Sequence, residues 1–189
     1  MAVTIIGKGA LARIVANILY LKLEEEYKMV ESNEFEPVKD AKVIIAIGDI
    51  ETRKRLYEEY KKAGCIFHTA IHPITVVPSS AVIGQGCIIK DNVTIEVDAI
   101  IGPNSIIGNG SVICHDVVIG SHCRIAPGVI IAGHSIIDDE CYLALKVSID
   151  RNLVVGKQST IASGCTIWKD VPKNSIVKLP QKMDVKERE

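Results

Sequence analysis

At 189 residues the chain has room for one large domain or two small ones, and 48% apolar with 24% charged residues makes a buried core, not a disordered chain. Aromatics are only 4%, so that core is aliphatic, and a net charge of −1 offers no basic excess for nucleic acid and no acidic tail. No apolar run approaches the roughly 18 residues that span a membrane.

The chain opens with a short strand, Val3-Thr4-Ile5-Ile6, that stops at Gly7, too short for a secretory signal. From Ala10 the apolar residues Leu11, Ile14, Val15, Ile18 and Leu19 fall at helical spacing. Tyr27 to Val30 reads as a second strand and Val43 to Ile47 as a third, closed by Gly48. Asp49 can cap a helix running to about Ala63, which Gly64 ends, and Cys65 to His68 reads as a fourth strand. Alternating strand and helix, with glycine after the strands, predicts a small parallel α/β unit over residues 1–70.

From residue 71 an aliphatic residue recurs every six positions, from Ile71 through Ile89, Ile107, Ile125 and Leu143 to Ile167, seventeen times in succession. If about a third of positions were aliphatic by chance, the odds are roughly one in 10⁸. The residue four later is usually small or β-branched, and Cys87, Cys123, Cys141 and Cys165 occupy that position. Period six fits no helix; it fits short strands wound into a three-faced prism over 71–172, with large residues on the axis. Residues 18 apart then stack in adjacent coils at about 4.8 Å. That places His115 between Val97 and Gly133 and makes Asp98, Asp116, His134 and Asn152 one column, readable as a site or as a plain ladder of surface polar groups. Six cysteines without paired short spacings read as reduced thiols of a cytoplasmic protein.

The hexads, written [LIV]-[G/A/D]-x-x-[small]-x, resemble the bacterial hexapeptide acyltransferases. With Gly7-Lys8-Gly9 after strand one and Ile47-Gly48-Asp49 after strand three, the chain resembles the sialic-acid O-acetyltransferase and nucleotide-amino-sugar N-acetyltransferase family (NeuD/PglD type) over residues 2–177. The resemblance implies a Rossmann-like unit followed by a left-handed parallel β-helix, a homotrimer, acetyl-CoA as co-substrate and a nucleotide-linked sugar as acceptor. It also implies that His115, followed by Asp116 in Ile113-Cys114-His115-Asp116, is the catalytic base. Three positions depart from the family pattern: Leu11 and Arg124 stand where the family often has histidine, and Lys178-Leu179-Pro180-Gln181-Lys182 replaces G-x-P-A-K. These leave three readings open: N-acetylation of an amino sugar, O-acetylation of a sialic-acid-like sugar, and a non-catalytic trimeric scaffold.

Acyl transfer from a thioester needs a base with a pKa near working pH, which suits imidazole. His115 follows an inward Ile by two and should project outward; His68 and His72 flank the join of the two parts and read as structural, and His122 reads as a surface partner of Asn104 and Glu140. The histidine spacing does not match a three-ligand zinc site, so no metal is expected. Gly7, Gly9 and Ala12 with Glu31 form a loose dinucleotide fingerprint, though the glycines could equally make only a tight turn. On the resemblance, Gly7, Lys8, Gly9, Arg13, Glu31, Ser32, Gly48 and Asp49 hold the sugar nucleotide, and Arg124, His134, Ala144, Lys157, Ala162, Lys178 and Lys182 meet the coenzyme. Residues 173–189 form a C-terminal segment whose last part reads as a solvated charged tail. Outward aliphatics at Ile88, Ile100, Ile106, Val118, Ile130 and Ile136 exceed what the prism axis needs and predict the trimer.

Overall fold

The structure, a computed structural model, describes residues 2–22 and 26–179. Strand β1 (Val3–Ile6) lies between β2 (Tyr27–Val30) and β3 (Lys42–Ile45), and β4 (Ile66–Phe67) completes a parallel sheet of order β2-β1-β3-β4. β1 is buried along its whole length, Thr4 included, because both of its faces are covered. Helix α1 (Ala10–Leu21) covers one face with Ala12, Val15, Ile18 and Leu19. Helix α2 (Ile50–Lys62) covers the other with Leu56, Tyr57 and Tyr60. The Asp49 side chain accepts from the Thr52 N–H at 2.8 Å and starts α2, and Gly64 at φ +80° follows its end. Among the described residues no helix is long and apolar enough to cross a membrane.

From Ala70–Ile71 onward the chain is a parallel β-solenoid. Two-residue strands build three sheets of seven, five and five strands, each strand paired with the one 18 residues on, as in Ile106↔Arg124 and Val118↔Ile136, until the last coil, where Thr160↔Ile176 are 16 apart. The first sheet contains Ile106–Ile107, the second Val118–Ile119 and the third Val112–Ile113. The hexad residues Ile89, Ile107, Ile125, Leu143 and Ile161 fill the axis. At the corners Asn92, Asp98, Asn104, Asp116, His122 and His134 adopt φ of 55° to 61°, a conformation that Asn, Asp and, less readily, His tolerate. The small inward positions Cys87, Ser105, Cys123, Cys141 and Ser159 stack in one column. Ser105 Oγ donates to Gly120 O at 2.9 Å and Cys123 Sγ to Asp138 O at 3.0 Å, so thiol and hydroxyl serve the same carbonyl-binding role. Burial pushes the Cys87 thiol up to about 11.

The unbroken hexad series overstates the strands at one place. Val77 packs against the axis, yet no strand forms there. Elsewhere the residue after each strand donates its N–H to the next coil, as His72 does to Ile89 O and Gly84 to Ile101 O. The equivalent residue after Val77 is Pro78, which has no N–H to give.

Two of the six outward aliphatics are not surplus. Ile88 and Ile106 are 0% and 5% exposed because α1 packs on them, joining the N-terminal unit to the first sheet. His122 is likewise no surface residue: α2 covers it, leaving it 7% exposed beside Asn104, with the Tyr57 ring edge-on at 5.3 Å. The Asn104 amide donates to His122 Nδ1 at 2.8 Å, which requires a neutral ring. Nearby, Glu140 accepts from Lys54 at 2.9 Å, from Lys157 at 3.1 Å and from Gln158 at 2.9 Å.

This join should make stability depend on pH in two steps. Burial lowers the His122 pKa below 6.5, the Arg53 and Lys54 charges act in the same direction, and Glu58 and Glu140 oppose them. The unfolded chain therefore takes up a proton that the fold refuses, and stability is lost as pH falls below 6.5. Burial alone would raise the Glu140 pKa, but hydrogen bonds from Lys54, Gln158 and Lys157 outweigh it and hold the group at about 2. Its contribution is present above 4.5 and disappears as pH falls towards 2. Thermal unfolding between pH 8 and pH 3 should show both declines, and His122→Gln should abolish only the upper one.

Candidate active site

His115 and Asp116 occupy the solenoid corner between Val112–Ile113 of the third sheet and Val118–Ile119 of the second. The corner is held by the backbone: Asp116 N donates to Val97 O and His134 N to His115 O, both at 3.2 Å. Glu96 Oε2 accepts from the His115 N–H at 2.8 Å. Asp116 takes a positive φ of 58°, which turns its side chain back so that Oδ2 lies 2.8 Å from His115 Nδ1. A carboxylate only accepts, so Nδ1 carries a proton, and in the neutral ring Nε2 then presents the lone pair. His134, one coil on, stands edge-on to His115 with ring centroids 5.0 Å apart, its Nδ1 3.7 Å from the same Asp116 oxygen.

The imidazole of His115 lies directly over Gly133. A Cβ there would sit 2.6 Å from Cε1 and 2.7 Å from Nε2 of the ring, closer than side chains approach. The absence of a side chain at 133 is what allows the ring to reach over the neighbouring coil. A cavity of about 630 Å³ opens beside it, lined by His115, Ala132, Gly133, His134, Asp150, Arg151 and Asn152. Hexad arithmetic places Gly133 beside His115 but gives it no role; the clash distance does. His115, Asp116 and His134 also bring one possible metal-ligand atom each within 4.8 Å of one another. All three are exposed and Asp116 already accepts from the His115 ring, an arrangement suited to proton transfer.

The acceptor candidates gather at the carboxyl edge of the four-stranded sheet, where open α/β sheets bind ligands. Gly7, at φ +119°, follows β1, donates to Val30 O at 2.7 Å and leaves no room for a side chain against Ala46 O. Gly9 caps α1 without a side chain and faces open space. Lys8 is held by Glu34 at 2.8 Å, and Glu34 also accepts from the Glu31 N–H, which brings Lys8 beside Glu31, with Ser32 next in the chain. Asp49 is occupied as the α2 cap. Arg13 lies apart, lining a cavity of about 380 Å³ with Asn17, His72, Asp91 and Asn109. Leu11, where the family pattern has histidine, packs beside α1's own core.

The coenzyme candidates do not come together on one chain. His134 lies on the corner between the third and second sheets, Lys157 on that between the second and first, and Ala144 and Ala162 on that between the first and third. Lys157 is engaged with Glu140 at 3.1 Å and Asp139 at 3.6 Å, on the α2 side of the solenoid. Arg124 reaches the loop after β3: its Nη1 donates to Gly48 O at 3.3 Å and its guanidinium lies 5.1 Å from the Tyr142 ring centre. Lys178 lines an apolar pocket of about 570 Å³ at the solenoid's last coil, with Trp168, Val171, Ile176 and Leu179. Trp168, the sole tryptophan, is 73% exposed there, and nothing in its spacing marks it as a site residue. Lys182 lies outside the described residues.

Residues 98–133 match the family model for the bacterial transferase hexapeptide (six repeats). The solenoid is a hexapeptide-repeat structure. No curated protein matches the sequence. Among solved structures, PerB of Caulobacter crescentus, a perosamine N-acetyltransferase in complex with CoA and GDP-perosamine, is 24% identical over 98% of both chains with a TM-score of 0.87. The acetyltransferase domain of PglB from Neisseria gonorrhoeae FA1090, in complex with acetyl coenzyme A, is 20% identical over 93% of this chain and 94% of its own, with a TM-score of 0.87. WeeI from Acinetobacter baumannii AYE is 21% identical over 95% and 98%, with a TM-score of 0.85. The hexapeptide chain thus shares the fold of these proteins through both its α/β unit and its solenoid.

Proposed function

We propose that this hexapeptide-repeat chain is an acetyl-CoA-dependent acetyltransferase that N-acetylates a nucleotide-linked amino sugar. The observation that carries the reading is the His115–Asp116 pair, ring seated over Gly133 beside an open cavity, in a fold shared with PerB, which was solved with CoA and GDP-perosamine. In this reading residues 1–70 are a Rossmann-like unit that holds the sugar nucleotide at Gly7, Lys8, Gly9, Glu31, Ser32 and Gly48. Residues 71–172 are a left-handed β-helix that carries the chemistry, and Lys178 and Lys182 of the C-terminal segment 173–189 contribute to coenzyme binding. The reaction belongs to glycan-precursor synthesis in the cytoplasm.

His115 Nε2 takes the proton as the sugar amine attacks the thioester carbonyl carbon. The N–C bond forms, the C–S bond breaks as the tetrahedral intermediate collapses, and the proton passes from the imidazolium to the departing CoA thiolate. Asp116 keeps the ring in the required tautomer and stabilises the imidazolium. With Leu11 in place of histidine, the amine is expected to be deprotonated from the solenoid side. Acetyl-CoA consumption against a panel of UDP-, GDP- and dTDP-linked 4-amino sugars tests the reading. Turnover with a hydroxyl acceptor alone would favour O-acetylation, and acetyl-CoA binding without turnover would favour a scaffold.

The same reading includes a homotrimer. Val82, Ile100, Val118, Ile136 and Val154 are in register down the second sheet, and Ile100 and Ile136 remain 43% and 39% exposed. That ladder borders the His115 corner, so a second copy packed on it would wall the candidate cleft. Sedimentation at micromolar concentration should give three times 20.5 kDa. An Ile100→Glu, Ile136→Glu double substitution should release monomers. A native species of 20.5 kDa would overturn the trimer.

A further inference from the structure

The apolar stripe of α2 contains one residue that does not belong by type. Arg53 shares the helical face of Leu56, Tyr57 and Tyr60 and is 0% exposed. Arginine is rarely buried without a carboxylate partner. Here its hydrogen bonds go to main-chain carbonyls on both sides of the join. Nε donates to Asn104 O at 3.0 Å, and Nη2 to His122 O at 2.9 Å and Cys123 O at 3.2 Å, all on the solenoid. Nη1 donates to Ile47 O at 3.1 Å and Gly48 O at 3.2 Å, in the loop after β3. Asn104 returns a bond from its amide to Arg53 O at 3.3 Å. Arg124 donates to the same Gly48 carbonyl from the solenoid at 3.3 Å. Burial pulls the Arg53 pKa down to about 10, with the Arg124 charge adding to the effect, so the group still carries its charge at neutral pH.

If the join needed only adhesion, an apolar side chain of similar volume would supply it without desolvating a charge. A guanidinium supplies something else: a rigid planar fork whose donors fix several acceptors at set angles. We infer that Arg53 is a positioning residue that fixes the 47–49 loop against solenoid residues 104 and 122–124, and so sets the acceptor site relative to His115. The path from its solenoid end to His115 is short, because His122 follows the His115 corner by a single strand, Val118–Ile119. The inference rests on the proposed acceptor site at the carboxyl edge of the sheet.

Arg53→Met and Arg53→Lys test it by two independent readouts. The first is hydrogen exchange of the 47–52 backbone amides, compared with amides of the solenoid's third sheet. The second is steady-state kinetics with the best amino-sugar acceptor, below the unfolding temperature of each variant. Arg53→Met should speed exchange in 47–52 at least tenfold and raise the acceptor KM at least tenfold, with the acetyl-CoA KM within twofold. Arg53→Lys should fall between, since a single ammonium cannot reach the carbonyls of Asn104 and Ile47 together. A role in stability alone would lower Tm and leave both KM values and the loop exchange unchanged, and that result overturns the inference. If Arg53→Met does not fold, Arg53→Lys decides by the same criteria. If the unmodified protein acetylates no amino sugar, the proposed function falls, and loop exchange still decides whether Arg53 positions the loop.

Discussion

Replacing His115 with alanine is expected to leave a folded protein that binds acetyl-CoA and turns over about 10²–10⁴ times more slowly, the usual loss when a positioned general base is removed. The fold should be indifferent, because the side chain is exposed and contributes nothing to the solenoid axis. The Tm should therefore match the parent while kcat falls. Asp116→Asn should lose less: the amide oxygen can still accept from Nδ1, but it no longer offsets the imidazolium charge that forms as the amine attacks. Near-normal turnover by His115→Ala on the true acceptor would remove the catalytic assignment, whatever the fold resembles.

Gly133→Ala should damage the same step without touching the residue that performs it. The added methyl would sit 2.6 Å from the His115 ring, and the ring, being the free end of a side chain, would swing aside. The solenoid backbone should be undisturbed, since the nearest atoms to the added methyl all belong to that ring. Displacing a reacting group by about 1 Å costs on the order of 10² in rate, so kcat should fall about a hundredfold at unchanged Tm. Combining the two substitutions should give the rate of His115→Ala alone, because both act through one imidazole. A Gly133→Ala protein within twofold of the parent would show that the observed ring position is not the working one.

The contrast between these two residues shows what the sequence made legible. The hexad period is written into the chain itself, so axis residues, corner residues and 18-residue stacking follow from residue numbers alone. What the count cannot say is which outward face another part of the chain will cover. Ile88 and Ile100 hold equivalent hexad positions, yet one is buried under α1 and the other lies open. His122 and His134 are both corner residues with the same backbone conformation, and α2 covers only the first. The scatter of the coenzyme candidates over three corners is contained in the same counting, since 134, 144 and 157 are not 18 apart. Family resemblance singles out His115, whereas periodicity says only that it points outward. Arg53 does leave a signal, an arginine in the i, i+3, i+4, i+7 stripe of α2, but a charged residue in a helix ordinarily reads as solvated.

The coil closure also governs how this chain can change length. Each hexad turns the backbone through one face of the prism, and three restore the starting orientation. Removing six residues between His115 and Ile136 would rotate everything beyond the cut by one face, sending Ile136 and Val154 off the open ladder. Removing or adding 18 would keep every later residue on its own face and alter only the height of the stack. Length changes between His115 and the C-terminal pocket are therefore neutral for facing only in steps of 18 residues, and variants engineered to move that pocket nearer to or farther from His115 should keep the open ladder at those steps and lose it at intermediate lengths.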